Sequence, residues 1–197
     1  MDAPDPILDL ASASLPFDAS ALFGSPRPLE VELGAGKGRF ALAWAAAHPD
    51  VGVVAVERSR TYLEMAARRA ARGGVANLRF VHTTAEDLLF RCLTPASAAA
   101  VHVYFPDPWP KKRHHKRRFF RADNVARLAE VLARGGLLRV KTDHGGYAEV
   151  IAASLAAEPR LHATAEEAAF AEVPATSFEV KYAREGRPVH RFAFVRG

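Results

Sequence analysis

The chain has one cysteine, Cys92, among 197 residues, no CxxC pair and no histidines at metal-ligand spacing. That excludes an intramolecular disulfide and removes the sequence basis for a zinc site, so metal-free chemistry in a reducing, cytoplasmic setting is expected. No run approaches the roughly 18 consecutive apolar residues of a membrane span. The first 28 residues hold Asp2, Asp5, Asp9 and Asp18 among prolines and serines, without the cationic start and apolar core of a signal peptide. No membrane contact is expected. Acid is also missing from one place: none lies between Asp107 and Asp123, where Lys111, Lys112, Arg113, Lys116, Arg117, Arg118 and Arg121 crowd together. These are seven of the 27 lysines and arginines, and the 20 left face 22 acids, so the net charge of +5 arises in one short stretch. A solvated helix face is the plain alternative; seven cations without an acid suit phosphates better.

What is present is a rhythm of short apolar runs and longer segments of helical spacing. Strands are expected at 29–33, 51–56, 78–82, 100–105 and 137–141. Helices are expected at 39–48, from an N-cap at Ser59 to about 72, at 122–133 with a stop at Gly135-Gly136, and at 146–157. Such alternation predicts a doubly wound α/β domain with a mostly parallel sheet. The end breaks the pattern: "SFEVKYAREGRPVHRFAFVR" reads as two strands flanking Arg184 to Pro188, an antiparallel hairpin. One domain is expected over 22–197, preceded by a leader, 1–21, whose composition suggests disorder before a partner binds.

"PLEVELGAGKGRF" runs a strand into Gly34-x-Gly36-x-Gly38 and a helix. Glycines there permit a tight turn and close approach of a ligand to free N–H groups at the helix start. The turn alone also fits simple strand–helix packing. Glu57, 19 residues past Gly38 at the end of the second strand, is placed to accept both hydroxyls of a ribose, which favours an adenosine-containing cofactor. The GxGxG spacing departs from the GxGxxG of NAD enzymes, and Gly38 stands where a P-loop needs Ser or Thr. Glu32 ends a buried strand, so a cation or donor is expected to meet it, an ordinary ion pair being the alternative.

In an open parallel sheet, ligands bind beyond the carboxyl ends of the strands. "FPDPWPK" begins at such an end, and Pro106, Pro108 and Pro110 stiffen it, so Asp107 should be held in place. Trp109 either supports the loop or stacks on a base.

"ELGAGKGRF" followed by "VAVERS" resembles the S-adenosylmethionine-dependent methyltransferases. "FPDPWPKKRHHKRRF" is similar to the signature of TrmB-type tRNA (guanine-N7)-methyltransferases, and "LFG", "KTDH" and "TSFE" agree in order from about Leu22 to Arg196. The resemblance implies a Rossmann-like fold with a seven-stranded sheet. It implies S-adenosyl-L-methionine as donor, S-adenosyl-L-homocysteine as product, and methylation of a tRNA guanine at N7, position 46 of the variable loop. By motif, the cofactor residues are Glu32, Gly34, Gly36, Gly38, Glu57, Thr84 and Asp107, with Asp107 also catalytic. Thr84 stands where relatives carry Asp or Asn. Lys111, Asp143, Thr176, Ser177, Phe178 and Glu179 match tRNA-contacting positions; Asp143 serves equally as a helix N-cap. Arg113, Lys116, Arg117 and Arg118 are expected on tRNA phosphates, with no obligatory protein partner. Two other readings are a methyltransferase of the same fold acting on a small molecule or protein, and an RNA-binding module without catalysis.

Overall fold

The computed structural model describes residues 5–197. In chain order its elements are β1 (Ile7–Leu8), α1 (Ala19–Phe23), β2 (Leu29–Leu33), α2 (Arg39–Ala47), β3 (Gly52–Val56), α3 (Arg60–Gly73), β4 (Leu78–Val81), α4 (Ala85–Asp87) continuing as a π-turn (Leu88–Cys92), β5 (Ala98–Tyr104), a 3₁₀ segment (Lys112–Arg117), α5 (Ala122–Val131), β6 (Leu132–Thr142), α6 (Gly145–Ala156), β7 (Leu161–Ala163), α7 (Glu166–Phe170), α8 (Ser177–Arg184) and β8 (His190–Arg196). The sheet runs β1-β4-β3-β2-β5-β6-β8-β7. β1 through β6 pair in parallel, and β8 is antiparallel to both β6 and β7. The chain reverses its direction of travel across the sheet between β2 and β5, so the crevice of a doubly wound fold opens above β2.

β3 and β4 are buried at every position, as strands covered on both faces must be. Alternation divides the core. Val31, Val54, Val101 and Val140 face α5, α6 and the π-turn; Val53, Ala55 and Phe80 face α2 and α3. The same two-residue period puts a buried polar stripe on the α2 side of the central strands. Glu30 accepts from Trp44 Nε1 and His102 Nε2, both at 2.8 Å, and His102 Nδ1 meets the Tyr104 hydroxyl at 2.9 Å. Burial lowers the pKa of His102 against the pull of Glu30 and pushes Tyr104 well above its ordinary value. A neutral ring gives Nε2–H to Glu30 and accepts a hydrogen bond from the Tyr104 O–H at Nδ1.

Three sequence expectations are corrected. Residues 177–184 are helix, not strand, because Thr176 and Glu179 form a reciprocal capping box at its start. The antiparallel partners of β8 are β6 and β7, both upstream of this helix. Gly135-Gly136 do not stop α5, which ends at Val131; they lie in β6, whose register against β5 jumps from Leu132 to Leu137 while β5 advances from Ala98 to Ala100. Gly135 takes φ 75° there, and a Cβ on Gly136 would sit 2.7 Å from the Ala133 carbonyl. The sheet has eight strands rather than seven because Ile7–Leu8 pairs with β4. Residues 5–21, composed like a disordered leader, thus have a place, and Phe17 packs in the core beside Cys92; residues 1–4 lie outside the described part. No helix among the described residues is long and apolar enough to cross a membrane.

Candidate active site

Each parallel strand hands the chain to a loop at the same edge, and those loops carry the acids singled out above. After β2 the backbone turns through Gly34, Gly36 and Gly38, all at positive φ. Gly38 is required by packing as well, since a Cβ there would lie 2.6 Å from the Ala66 Cβ. Over Gly34 and Gly36 the space is open, with nothing within 4 Å of a built Cβ. Glu57, after β3, fixes this turn: its Oε2 accepts from Gly36 N–H at 2.8 Å and its Oε1 from Ser59 N–H at 2.7 Å. Each oxygen keeps lone-pair capacity for another donor.

Glu32 lies beneath the turn, 3% exposed, and its Oε2 has no hydrogen-bond partner. Among the described residues no lysine or arginine pairs with it, so the ordinary ion pair is absent. Burial pushes its carboxyl up to about 8, opposed in part by the Ala41 backbone and reinforced by the charge of Glu57. A raised folded pKa gives stability that is complete at low pH and declines as pH rises through the folded value. Cofactor-free protein should lose about 2 kcal/mol between pH 6 and pH 8 through this group. Glu32→Gln should flatten that loss. Denaturant unfolding at the two pH values checks it, and identical slopes in parent and variant would refute it.

Thr84, after β4, is exposed and caps α4, accepting from Asp87 N–H at 3.1 Å. The loop after β5 opens with Phe105 at φ 54° and contains Trp109 at φ 42°. Asp107 is 63% exposed and lies 3.6 Å from Arg58 Nη2. Since β2 sits between β3 and β5, this pair bridges the end of β2 on the same edge as Gly36. After β6, Asp143 is 12% exposed and accepts from Arg187 Nη2. It is not the helix cap: His144 Nδ1 takes Tyr147 N–H at 3.1 Å.

The segment Thr176–Glu179 is drawn to the same edge by charge. Glu179 accepts from Lys141 Nζ at 2.8 and 3.0 Å, while Thr176 N–H and Glu179 close the capping box at 2.9 Å. Ser177 and Phe178 remain exposed. The Phe178 ring lies 5.7 Å from Tyr182 and 5.6 Å from Phe105, centroid to centroid, making an aromatic face beside the Asp107 loop.

The basic run is exposed at Lys111, Lys112, Arg113, Lys116 and Arg117, with Arg117 over the Trp109 ring at 4.9 Å. Arg118 differs from these in being largely buried. It is 8% exposed, donates from Nε to the Pro108 carbonyl at 2.8 Å and covers the Tyr147 ring, so it anchors the loop that carries the exposed cations. Residues that sequence reasoning passed over are Arg58, Lys141 and Arg187. Lys141 and Arg58 were signalled, the first inside "KTDH" and the second directly after Glu57. Among the described residues no group of three or more His, Cys, Asp or Glu could hold a metal.

A family model described as "Putative methyltransferase" matches residues 26–192. A protein of Mycobacterium avium (strain 104) named tRNA (guanine-N(7)-)-methyltransferase is 42% identical over 184 residues, 92% of this chain and 71% of that one. The chain belongs to the TrmB-type tRNA (guanine-N7)-methyltransferase family. A second TrmB-type relative, from Nocardia farcinica (strain IFM 10152), is 41% identical over 191 residues, 91% of this chain and 71% of that protein. Solved structures share the TrmB-type fold at lower identity. The 16S rRNA methyltransferase KamB aligns with TM-score 0.65 at 19% identity, covering 89% of this chain and 91% of that one. Geranyl diphosphate methyltransferase in complex with SAM aligns with TM-score 0.57 at 18% identity, covering 91% and 84%.

Proposed function

We propose that this methyltransferase moves a methyl group from S-adenosyl-L-methionine to N7 of guanine 46 in the tRNA variable loop. Residues 22–197 form its catalytic domain, working in the cytoplasm without an obligatory protein partner. The observation that carries the reading is the Arg58–Asp107 pair bridging the end of β2, which sets Asp107 on the same edge as Gly36 and Glu57. The open space over Gly34 and Gly36, the oriented Glu57 carboxylate and the unpartnered Glu32 Oε2 fit the donor's backbone, ribose and amino acid moieties respectively. Bound there, the donor supplies an electrophilic methyl on a sulfonium and leaves as S-adenosyl-L-homocysteine. Thr84, capping α4 at the neighbouring strand end, is positioned for the adenine side.

Guanine N7 has an in-plane lone pair and no proton, so this chain needs no general base; it needs to aim the ring. Positive charge grows on the purine as the new bond forms. The carboxylate of Asp107 favours it, and the face of Phe178 offers a surface on which the cationic ring stacks. Asp143 accepts Arg187 at Oδ2, and Oδ1, with no bond among the described residues, is available to a donor on the guanine edge. Lys111, Arg113, Lys116 and Arg117 meet the tRNA backbone.

Unmodified tRNA transcripts, labelled donor and mapping of aniline-sensitive cleavage test the reading. A single cleavage at guanine 46 is the expected product, and transfer to some other acceptor or none would overturn it. The triple replacement of Arg113, Lys116 and Arg117 by alanine should also flatten the plot of log affinity against log salt by about 2, with donor affinity unchanged. Filter binding from low to moderate salt measures this; parallel plots would show that these side chains miss the phosphates.

A further inference from the structure

Sequence charge placed the whole cationic excess in residues 111–121, yet the fold assembles a second concentration from scattered positions. A groove of about 600 Å³ runs between α2 and α3, with Leu42 and Ala46 on its wall and Lys37, Arg39, Arg69 and Ser177 around it. Among the described residues no carboxylate lines it. Elsewhere on α3 Arg60 and Arg68 both pair with Glu64, whereas Lys37, Arg39 and Arg69, like Arg72 at the end of the helix, have no acidic partner within 4 Å among the described residues. Two of the three are held in place by backbone: Arg69 Nη1 donates to the Lys37 carbonyl at 2.9 Å and Arg39 Nε to the Ala175 carbonyl at 3.2 Å. Guanidiniums tethered to backbone carbonyls that keep unused N–H groups form a receptor for an oxyanion.

The position of the groove selects the anion. Lys37 belongs to the glycine turn, and Ala175, which receives Arg39, directly precedes Thr176–Glu179. The groove therefore continues from the proposed catalytic edge down the outside of the molecule, and it is open along its length, as a chain of phosphates requires. We propose that this α2–α3 groove binds phosphodiesters of the same tRNA whose guanine lies at Asp107, a contact separate from residues 111–117. The proposal rests on the tRNA reading above.

Two variants of the full chain test it. Arg39→Gln/Arg69→Gln removes both guanidiniums, and Ala46→Glu puts a carboxylate into the groove from an exposed helical position without touching either tether, with Ala46→Gln as its control. Both charge-altering variants should bind tRNA roughly tenfold more weakly at physiological salt, and the double variant should flatten the log–log salt plot by about 1.5. Single-turnover methylation at saturating tRNA and donor affinity should stay within about twofold. If the parent methylates guanine while both variants keep its affinity and salt plot, the groove is overturned and the function stands. If inorganic phosphate at constant ionic strength binds the parent groove and tRNA affinity is unaltered in the variants, the groove is a small-anion site and the proposal fails. A parent that transfers no methyl to tRNA sinks the function and the groove with it.

Discussion

Asp107→Ala should slow single-turnover methylation of tRNA by roughly 100-fold or more, about 3 kcal/mol of transition-state stabilisation, by analogy with removal of one preorganised polar group. The effect should fall on the chemical step. Asp107 is exposed in the free protein and its only ion pair among the described residues is the exposed 3.6 Å contact with Arg58. Such pairs contribute at most about 1 kcal/mol to folding, so the variant should unfold near the parent's denaturant midpoint. Docked RNA would exclude water from the same carboxylate, and its field on the purine would strengthen accordingly. Asp107→Asn separates charge from shape: if charge matters, it should lose nearly as much as alanine. Rapid-quench measurement with donor and enzyme in excess over tRNA decides this, and a rate within twofold of the parent would discard the proposed role.

Lys141→Met should have the largest effect on stability. Lys141 is 2% exposed, its ammonium is held by both oxygens of Glu179, and the Tyr104 and Phe170 rings lie about it at 5.0 and 5.2 Å. Burial lowers the pKa of the lysine, and Glu179 opposes that shift. Removing the cation leaves a largely buried carboxylate with Thr176 N–H and, at 3.8 Å, Arg191. The expected loss is about 3 kcal/mol, at the lower end for breaking a buried pair because those partners remain. Lys141→Met/Glu179→Gln should recover most of it, since the uncompensated charge is then gone. Urea unfolding of the four proteins gives the coupling directly, and additive single losses would show that the pair does not act as a unit. Lys141→Met should also raise KM for tRNA, because the pair seats the start of α8 at the catalytic edge.

Much of this arrangement was legible in the residues, for physical reasons that can be named. Glycines at 34, 36 and 38 followed by an acid at 57 leave few alternatives to a turn backed by a strand end, and the Gly36–Glu57 hydrogen bond is the consequence. Three prolines around Asp107 implied a loop without helix or strand, which residues 106–110 are, though the Asp107 side chain itself is exposed. The helix at 177–184 was hidden because Phe178, Val180 and Tyr182 alternate like a strand. The stronger signal was Thr176 with Glu179 three residues on, and the capping box prevailed. The burial of Arg118 was illegible for another reason: a charge run does not say which member packs against the fold, and only the Pro108 carbonyl and Tyr147 ring identify it. The α2–α3 groove draws on positions 37, 39 and 69, which no local window joins. The β1 strand is two residues long, too short for periodicity to announce it.

The tether of Arg118 to the Pro108 carbonyl has a kinetic meaning. A cationic loop fastened from within by one of its own side chains meets its polyanion already shaped, so encounter involves little coil-to-order transition and a small change in heat capacity. Long-range attraction can then act on a fixed array, and capture should be quick and steeply retarded by electrolyte, with little sign of a slow second phase.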